Sequence, residues 1–409
     1  MFFAACLTTE YSEIEQMKKI LIALGCLATA LSTFSQNPLI QTMLNEVEID
    51  SLLFNANAIS GETGVVVQGV TDTIKSRHKT KPGNELAFRY LRQRFEDYGL
   101  QTDSLIFSAT GKNILAIQPG MVYPNQYLIF CAHYDCMPNV NVAPAADDDG
   151  SGVATVLEAA RILSQYQFEY TIVYAIWDEE EQGLAGSAAY ATLADNQNDS
   201  LIGVLNMDAI AWDSDSNNVA MIHTGSTANS LQLAMMIDDV NNDYSIGLDL
   251  NLINPGATYS DHASFWNHGF GAVLIIEDWQ FDANPHYHTV TDKVQYFNTP
   301  YFHRMAKLSI GSTATLAVPY TLSTNEKEAF ENLVIFPNPG GSWFFVALNE
   351  TTNDPVQIKV HSSDGKLMFT QNYSAQNNMR ITSESWEKGL YFISIESTIG
   401  TRVVKWIKY

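Results

Sequence analysis

An apolar run at residues 171–176 ends in Trp177-Asp178-Glu179-Glu180-Glu181-Gln182, followed by Gly183-Leu184-Ala185-Gly186-Ser187. A strand tip with four adjacent carboxylates cannot be buried as it stands, because an ion leaving water loses hydration that only a partner replaces. The fold must bring a cation or equivalent partners to that tip. Four other places carry matching donors. They are His133-Tyr134-Asp135 after the apolar run 127–131, Asp147-Asp148-Asp149 before Gly150, Asn206-Met207-Asp208 after a third apolar run, and His286-Tyr287-His288. Imidazole and carboxylate are ligands that zinc accepts, and a carboxylate between two cations can bridge them.

Short apolar runs at 113–117, 127–131, 171–177, 202–207 and 272–276 alternate with helical segments such as 151–165. The alternation predicts an α/β fold, with a mostly parallel central sheet flanked by helices and ligands emerging from strand ends. Ile40, Met43, Leu44 and Val47 share one face of a helix opened by Pro38. A second helix runs from Asn84 to Tyr98, with Gly99 placed to end it.

Past Pro319 the texture changes. Residues 321–332 read as a polar linker, and 333–409 as a small β-sandwich with strands at 343–348, 356–361, 390–396 and 403–407 and a hairpin turn at 363–366. The resulting organisation is a leader region 1–36, a catalytic domain 37–320, a linker 321–332 and a β-domain 333–409. The leader reads as a secretory signal: Lys18-Lys19 precede an apolar stretch 20–30 and a small-residue end near Ser35, and the start is read at Met17.

Taken in order, HYD, ADDDGSG, EEEQGLAGS, NMD, SDHASF and HYHTVTD resemble the M28 family of dizinc aminopeptidases, the bacterial leucyl-aminopeptidase type, over roughly residues 75–315. The resemblance implies a zinc-exopeptidase fold holding two Zn2+. Its register, fixed by Gly183-Leu184-x-Gly186-Ser187, makes Glu180 the general base and Glu181 a ligand. Asp148 would bridge both ions, with Asp147 and Asp149 as helix caps. His133 and Asp208 would complete one zinc, and Glu181 with His288 the other. His288 is chosen over His286 because Thr289 and Asp292 follow it. The resemblance implies that Asp135 orients His133 and that Asp261 stands near the substrate pocket or behind the ligands; Tyr259 is only a candidate oxyanion donor, because this stretch has Ala257-Thr258-Tyr259 where leucyl-type enzymes have a cysteine pair and an upstream tyrosine. His223 and His268 read as packing or surface residues.

The tail, through FPNP, a DGK turn, KGLYFISI and a basic end, resembles the C-terminal sorting domain of type IX secretion in Bacteroidetes. The implied protein is secreted or held at the surface of a Gram-negative bacterium. It acts on peptide substrates and meets the type IX secretion machinery. A formal net charge of −23 argues against nucleic acid as a partner, and no stretch after the leader reads as a transmembrane segment. Cys131 and Cys136 flank HYD and could pair in an oxidising compartment or stay as two thiols.

Three other readings use the same residues. A carboxypeptidase would need clustered Arg for the substrate carboxylate. A glutaminyl cyclase would share the fold without the EExGLxGS ending. A non-catalytic surface binding protein would not need every ligand position filled. Asp213-Ser214-Asp215 opens like a calcium loop, but Asn218 stands where the EF-hand turn needs Gly.

Overall fold

A computed structural model describes residues 36–320, 333–348, 355–363, 365–374, 378–397 and 400–409. The leader up to Ser35, the linker 321–332 and Asp364 of the expected hairpin turn lie outside the described residues. Contacts divide the chain after Tyr320 into two compact units.

The first unit opens with α1 (Pro38–Asn45) and α2 (Ile49–Ile59), a hairpin of β1 (Val65–Val67) and β2 (Val70–Asp72), and α3 (Pro82–Asp97). Then come β3 (Gln101–Ile106), β4 (Lys112–Gln118), β5 (Tyr123–His133), α4 (Gly150–Leu163), β6 (Tyr170–Trp177), α5 (Ala185–Gln197) and β7 (Ser200–Met207). It closes with β8 (Val219–His223), α6 (Ser230–Asp243), β9 (Asp249–Ile253), α7 (His262–Asn267), β10 (Ala272–Glu277) and α8 (Thr299–Ala317). Pro38 and Pro82 each sit in the first turn of their helices, and Gly99 takes the left-handed φ of +79° just past α3.

Eight strands form one sheet in the order β3-β4-β6-β5-β7-β10-β8-β9. It is mixed: β6, β5, β7 and β10 pair in parallel, whereas β3/β4, β4/β6 and β10/β8 are antiparallel. Connection length accounts for the inner strands and for the β3/β4 pair. α4 and α5 supply the crossovers that parallel neighbours require, while only residues 107–111 join β3 to β4. The central strands are buried on both faces, every residue of β10 included. Parallel pairing places the C-terminal ends of β5, β6, β7 and β10 on one edge, so His133, Trp177, Met207 and Glu277 end their strands side by side.

Helix α2 and strands β3, β8 and β9 were not singled out by the pattern. β3 and β9 are edge strands with largely uncovered residues, so a two-residue period has little to act on there. A polar anchor fixes α2. Glu158 of α4, fully buried, accepts from Glu48 N at 2.9 Å and Ser51 Oγ at 2.6 Å and meets Arg161 at 2.7 Å. Changing Glu158 to Ala strands the Glu48 N–H and the Arg161 charge. It is expected to cost about 2–3 kcal/mol in denaturant unfolding; a loss below the measurement error would show the anchor to be idle.

The second unit holds β11 (Val334–Phe336), β12 (Trp343–Ala347), β13 (Val356–Ser362), β14 (Leu367–Tyr373), β15 (Asn378–Thr382), β16 (Gly389–Ser397) and β17 (Gly400–Lys408). They form antiparallel sheets β11-β12-β15 and β14-β13-β16-β17. Phe344, Ile358, Val360, Ile393, Ile395 and Trp406 fill the space between, the alternation a sandwich requires. β14 escapes the sequence reading because none of its residues is buried and its apolar residues do not alternate with polar ones.

Candidate metal centre

The four acids at the tip of β6 divide by what already satisfies them. Asp178 accepts from Asn84 Nδ2 at 2.9 Å, Lys112 N at 3.0 Å and Tyr134 Oη at 2.8 Å. Glu179, at a left-handed φ of +57°, turns to Lys79 at 3.2 Å, Thr110 Oγ1 at 2.5 Å and Ser108 Oγ at 3.2 Å. Glu180 and Glu181 are left facing the other donors. Asp135 accepts both of their backbone N–H groups, at 2.9 and 3.2 Å, so this carboxylate sets the turn that presents them. Asp135 also stands 3.5 Å from His133 Nδ1.

The triple acid behaves differently at each position. Asp149 is the N-cap of α4, accepting from Gly152 N at 2.9 Å, and also takes His133 N at 3.1 Å and Ala209 N at 3.3 Å. Asp147, expected to cap as well, instead accepts from Ala211 N at 2.9 Å and Asn284 Nδ2 at 2.8 Å. Asp148 points its two oxygens at two separate imidazoles: Oδ1 is 3.2 Å from His133 Nε2, and Oδ2 is 3.1 Å from His288 Nε2. Asp208 Oδ1 lies 3.6 Å from His133 Nε2 and Glu181 Oε2 2.7 Å from His288 Nε2. Two ligand sets therefore share one carboxylate. Asp149 also falls within ligand distance of His133 and Asp208, although its oxygens already accept three N–H groups.

The donors fit a pair of cations by a specific sign. Oε1 of Glu181 is buried with no hydrogen-bond partner, a costly state for a polar atom, and the ring nitrogens of His133 and His288 face carboxylate oxygens. The charges carry the same message. Burial, then the charge of Asp148, pushes Glu181 up to about 7, and burial raises Glu180 well above the usual carboxylate range, with Asp261, Asp208 and Asp135 adding to it. Burial alone would lower His288, but Asp148 and Glu181 lift it to about 10. A cluster holding protons so strongly is short of positive charge, which divalent ions supply.

Glu180, Glu181, Asp148 and Asp208 open onto a cavity of about 580 Å³ whose other walls include Tyr259, Trp279 and Tyr287. Asp261 is buried behind it and does not line it, so its place is in support and not at the pocket surface. His286 stacks on Tyr296 at 3.9 Å and bonds Thr291 Oγ1 at 2.8 Å, which separates it from His288. Asp292 accepts from Asp147 N and Asp148 N at 3.1 Å each and so fixes the bridging residue's backbone. Cys131 and Cys136 are both buried thiols with no disulfide between them. Asp213, Asp215 and Asp282 also approach one another, but Asn298 serves Asp213 and the Ser214 and Trp212 donors serve Asp282.

One supporting residue escaped the sequence reading. Arg77, fully buried, donates to Ile59 O and Pro144 O at 2.8 Å, Ala145 O at 2.8 Å and Tyr134 O at 2.6 Å. It ties the HYD turn to the loop leading into Asp148. Within Lys75-Ser76-Arg77-His78-Lys79 nothing separates it from surface charges.

The model of peptidase family M28 matches residues 113–313, and that of a secretion system C-terminal sorting domain matches residues 334–409. Among curated proteins the chain is similar to leucine aminopeptidase 1 of Paracoccidioides brasiliensis (strain Pb18), at 28% identity over 240 residues, 54% of this chain and 59% of that protein. Less than two thirds of that relative's length is therefore spanned. The Legionella pneumophila LapA aminopeptidase superposes with a TM-score of 0.60 at 22% identity, over 70% of this chain and 76% of that one. Porphyromonas gingivalis glutaminyl cyclase does so with a TM-score of 0.55 at 17% identity, over 66% and 98%. At such identities both show a shared fold and do not choose between reactions. The chain thus carries a domain of peptidase family M28, followed by a C-terminal sorting domain that marks it for secretion or the cell surface.

Proposed function

We propose that the chain is an exported aminopeptidase holding two Zn2+, one between His133 and Asp208 and one between Glu181 and His288, with Asp148 shared. The observation that carries this reading is the division of Asp148: its oxygens serve two imidazoles, beside a glutamate facing the cavity. Zinc bound there would polarise a peptide carbonyl and lower the pKa of water.

Glu180 takes the proton of the water that adds to the carbonyl carbon, and returns it to the nitrogen as the C–N bond breaks. Its proton affinity, raised by burial and the neighbouring carboxylates, suits a base working near neutral pH. Tyr259, held at about 12 by burial and then by Asp208, keeps its hydrogen and can donate it to the developing oxyanion.

The sense of cleavage follows from charge. No Lys or Arg lines the cavity, so a substrate carboxylate finds no cationic side chain to hold it. This favours an aminopeptidase over a carboxypeptidase. Residues 1–36 would direct the chain out of the cytoplasm and 333–409 would engage the type IX machinery.

Mass spectrometry of peptide pairs, free and N-acetylated, digested by the zinc-loaded protein tests the reading. Stepwise loss from free N-termini alone is expected. Shortening from C-termini, loss of ammonia from N-terminal glutamine, or no change would each replace it with the carboxypeptidase, cyclase or binding-protein alternative.

A further inference from the structure

Among the buried imidazoles that ligands, base and cavity leave unused are His223 and His262. Both grip the loop that carries Tyr259. His223 ends β8, and its Nδ1 accepts the N–H of Ala257 at 3.0 Å. His262, in the first turn of α7, has Nε2 2.8 Å from Ala257 O. One residue, two positions before Tyr259, is thus held on both backbone groups. Gly256 brings the loop close enough for this: its N–H donates to Thr224 O at 2.7 Å, and a Cβ there would come within 2.9 Å of His223 Cβ and of Thr224 N and O.

The hydrogen positions follow from these contacts. A ring nitrogen that accepts an N–H carries no hydrogen itself, so neutral His223 bears its hydrogen on Nε2. Burial lowers His223 to about 4 and His262 to about 3, so both rings are neutral near pH 7. Nε2 of His223 lies 3.4 Å from Tyr259 Oη, and the two rings meet edge-on with centroids 5.7 Å apart. The imidazole N–H then occupies an acceptor site of the phenol oxygen, and the phenol must send its own hydrogen elsewhere. Tyr259 lines the cavity with Glu180 and Asp208.

We propose that His223 is a positioning residue that, by donating to Tyr259, directs the phenol hydrogen into the cavity toward the substrate carbonyl oxygen. This rests on the peptidase reading above. Without the imidazole donor the phenol is at liberty to rotate and spend its hydrogen on other acceptors. The oxyanion then loses a donor set in advance.

Four variants of the zinc-loaded full chain test it: His223→Leu, His223→Gln, Tyr259→Phe and the Leu/Phe double. His223→Leu and Tyr259→Phe should each lower kcat by about 10- to 100-fold with KM little changed. The double variant should be no slower than Tyr259→Phe alone, because the imidazole acts through the phenol. His223→Gln offers an amide oxygen and an N–H, and should recover most of the rate lost in His223→Leu. Losses that multiply in the double variant, or a Gln variant as slow as the Leu one, would overturn the proposal.

A second readout does not depend on turnover. In 15N-histidine-labelled protein at pH 7, the signals absent from His223→Gln should show a bare Nδ1 and a protonated Nε2; the other tautomer or a charged ring would refute the geometry even if peptides are cleaved. An inactive wild type with the expected tautomer would sink the peptidase reading, and the positioning role with it, but not the hydrogen-bond assignment.

Discussion

Replacing Glu180 with Gln is expected to lower kcat by about 10³-fold while the zinc content, measured by elemental analysis, stays at the wild-type level. The two effects separate because Glu180 faces the cavity while the imidazole-facing oxygens belong to Asp148, Asp208 and Glu181. An amide matches the carboxylate in size but cannot accept the proton of the attacking water. Glu181→Gln makes the contrast: it should lose metal as well as rate, because its oxygen stands 2.7 Å from His288 Nε2. A Glu180→Gln protein with near wild-type turnover would remove Glu180 from the chemistry. One that had also lost its zinc would recast it as a ligand.

Removing the metal should abolish activity and reverse how stability responds to pH. In the metal-free protein, Glu181 rises from 4.5 to about 7, through burial and then the Asp148 charge, and Asp148 and Glu181 outweigh burial to lift His288 from 6.5 to about 10. Both groups bind protons more tightly folded than unfolded. Their contribution is complete below the unfolded pKa and is lost as pH rises through the folded one. The melting temperature of the chelated protein should therefore fall steadily from pH 5 to pH 8. Adding zinc should raise it, and by more at pH 8 than at pH 5, because the ligands bind metal when deprotonated. Thermal melts with and without zinc at those two pH values decide it. A melting temperature that zinc leaves unmoved at both would mean the cluster does not hold metal.

The members of the candidate site were legible along the chain because His, Asp and Glu are the usual nitrogen and oxygen ligands of a metal, and strand ends are where an α/β sheet presents them. His133, Asp148, Glu181, Asp208 and His288 come together although 155 positions separate the first from the last. Less legible was which acid does what. Three consecutive glutamates look alike in sequence, yet Lys79, Ser108 and Thr110 draw Glu179 aside. Asp147 and Asp149 were both read as caps, and only Asp149 is one.

Supporting residues were invisible for a related reason. Arg77 stands among lysines and His223 ends an ordinary apolar strand. Their roles arise from partners such as Ala145 and Ala257, 68 and 34 residues away.

The sequence by itself determined the alternation of strands and helices, the inventory of imidazole and carboxylate donors and the β-rich tail. Each is written in local apolar periods or in residue types that few other chemistries need. Only the tertiary structure decided the antiparallel flanks of the sheet, the partners that draw Asp178 and Glu179 aside, and the grip of two histidines on the Tyr259 loop. Those depend on which distant donor reaches a side chain first, and a hydrogen bond across the fold leaves no period in the chain.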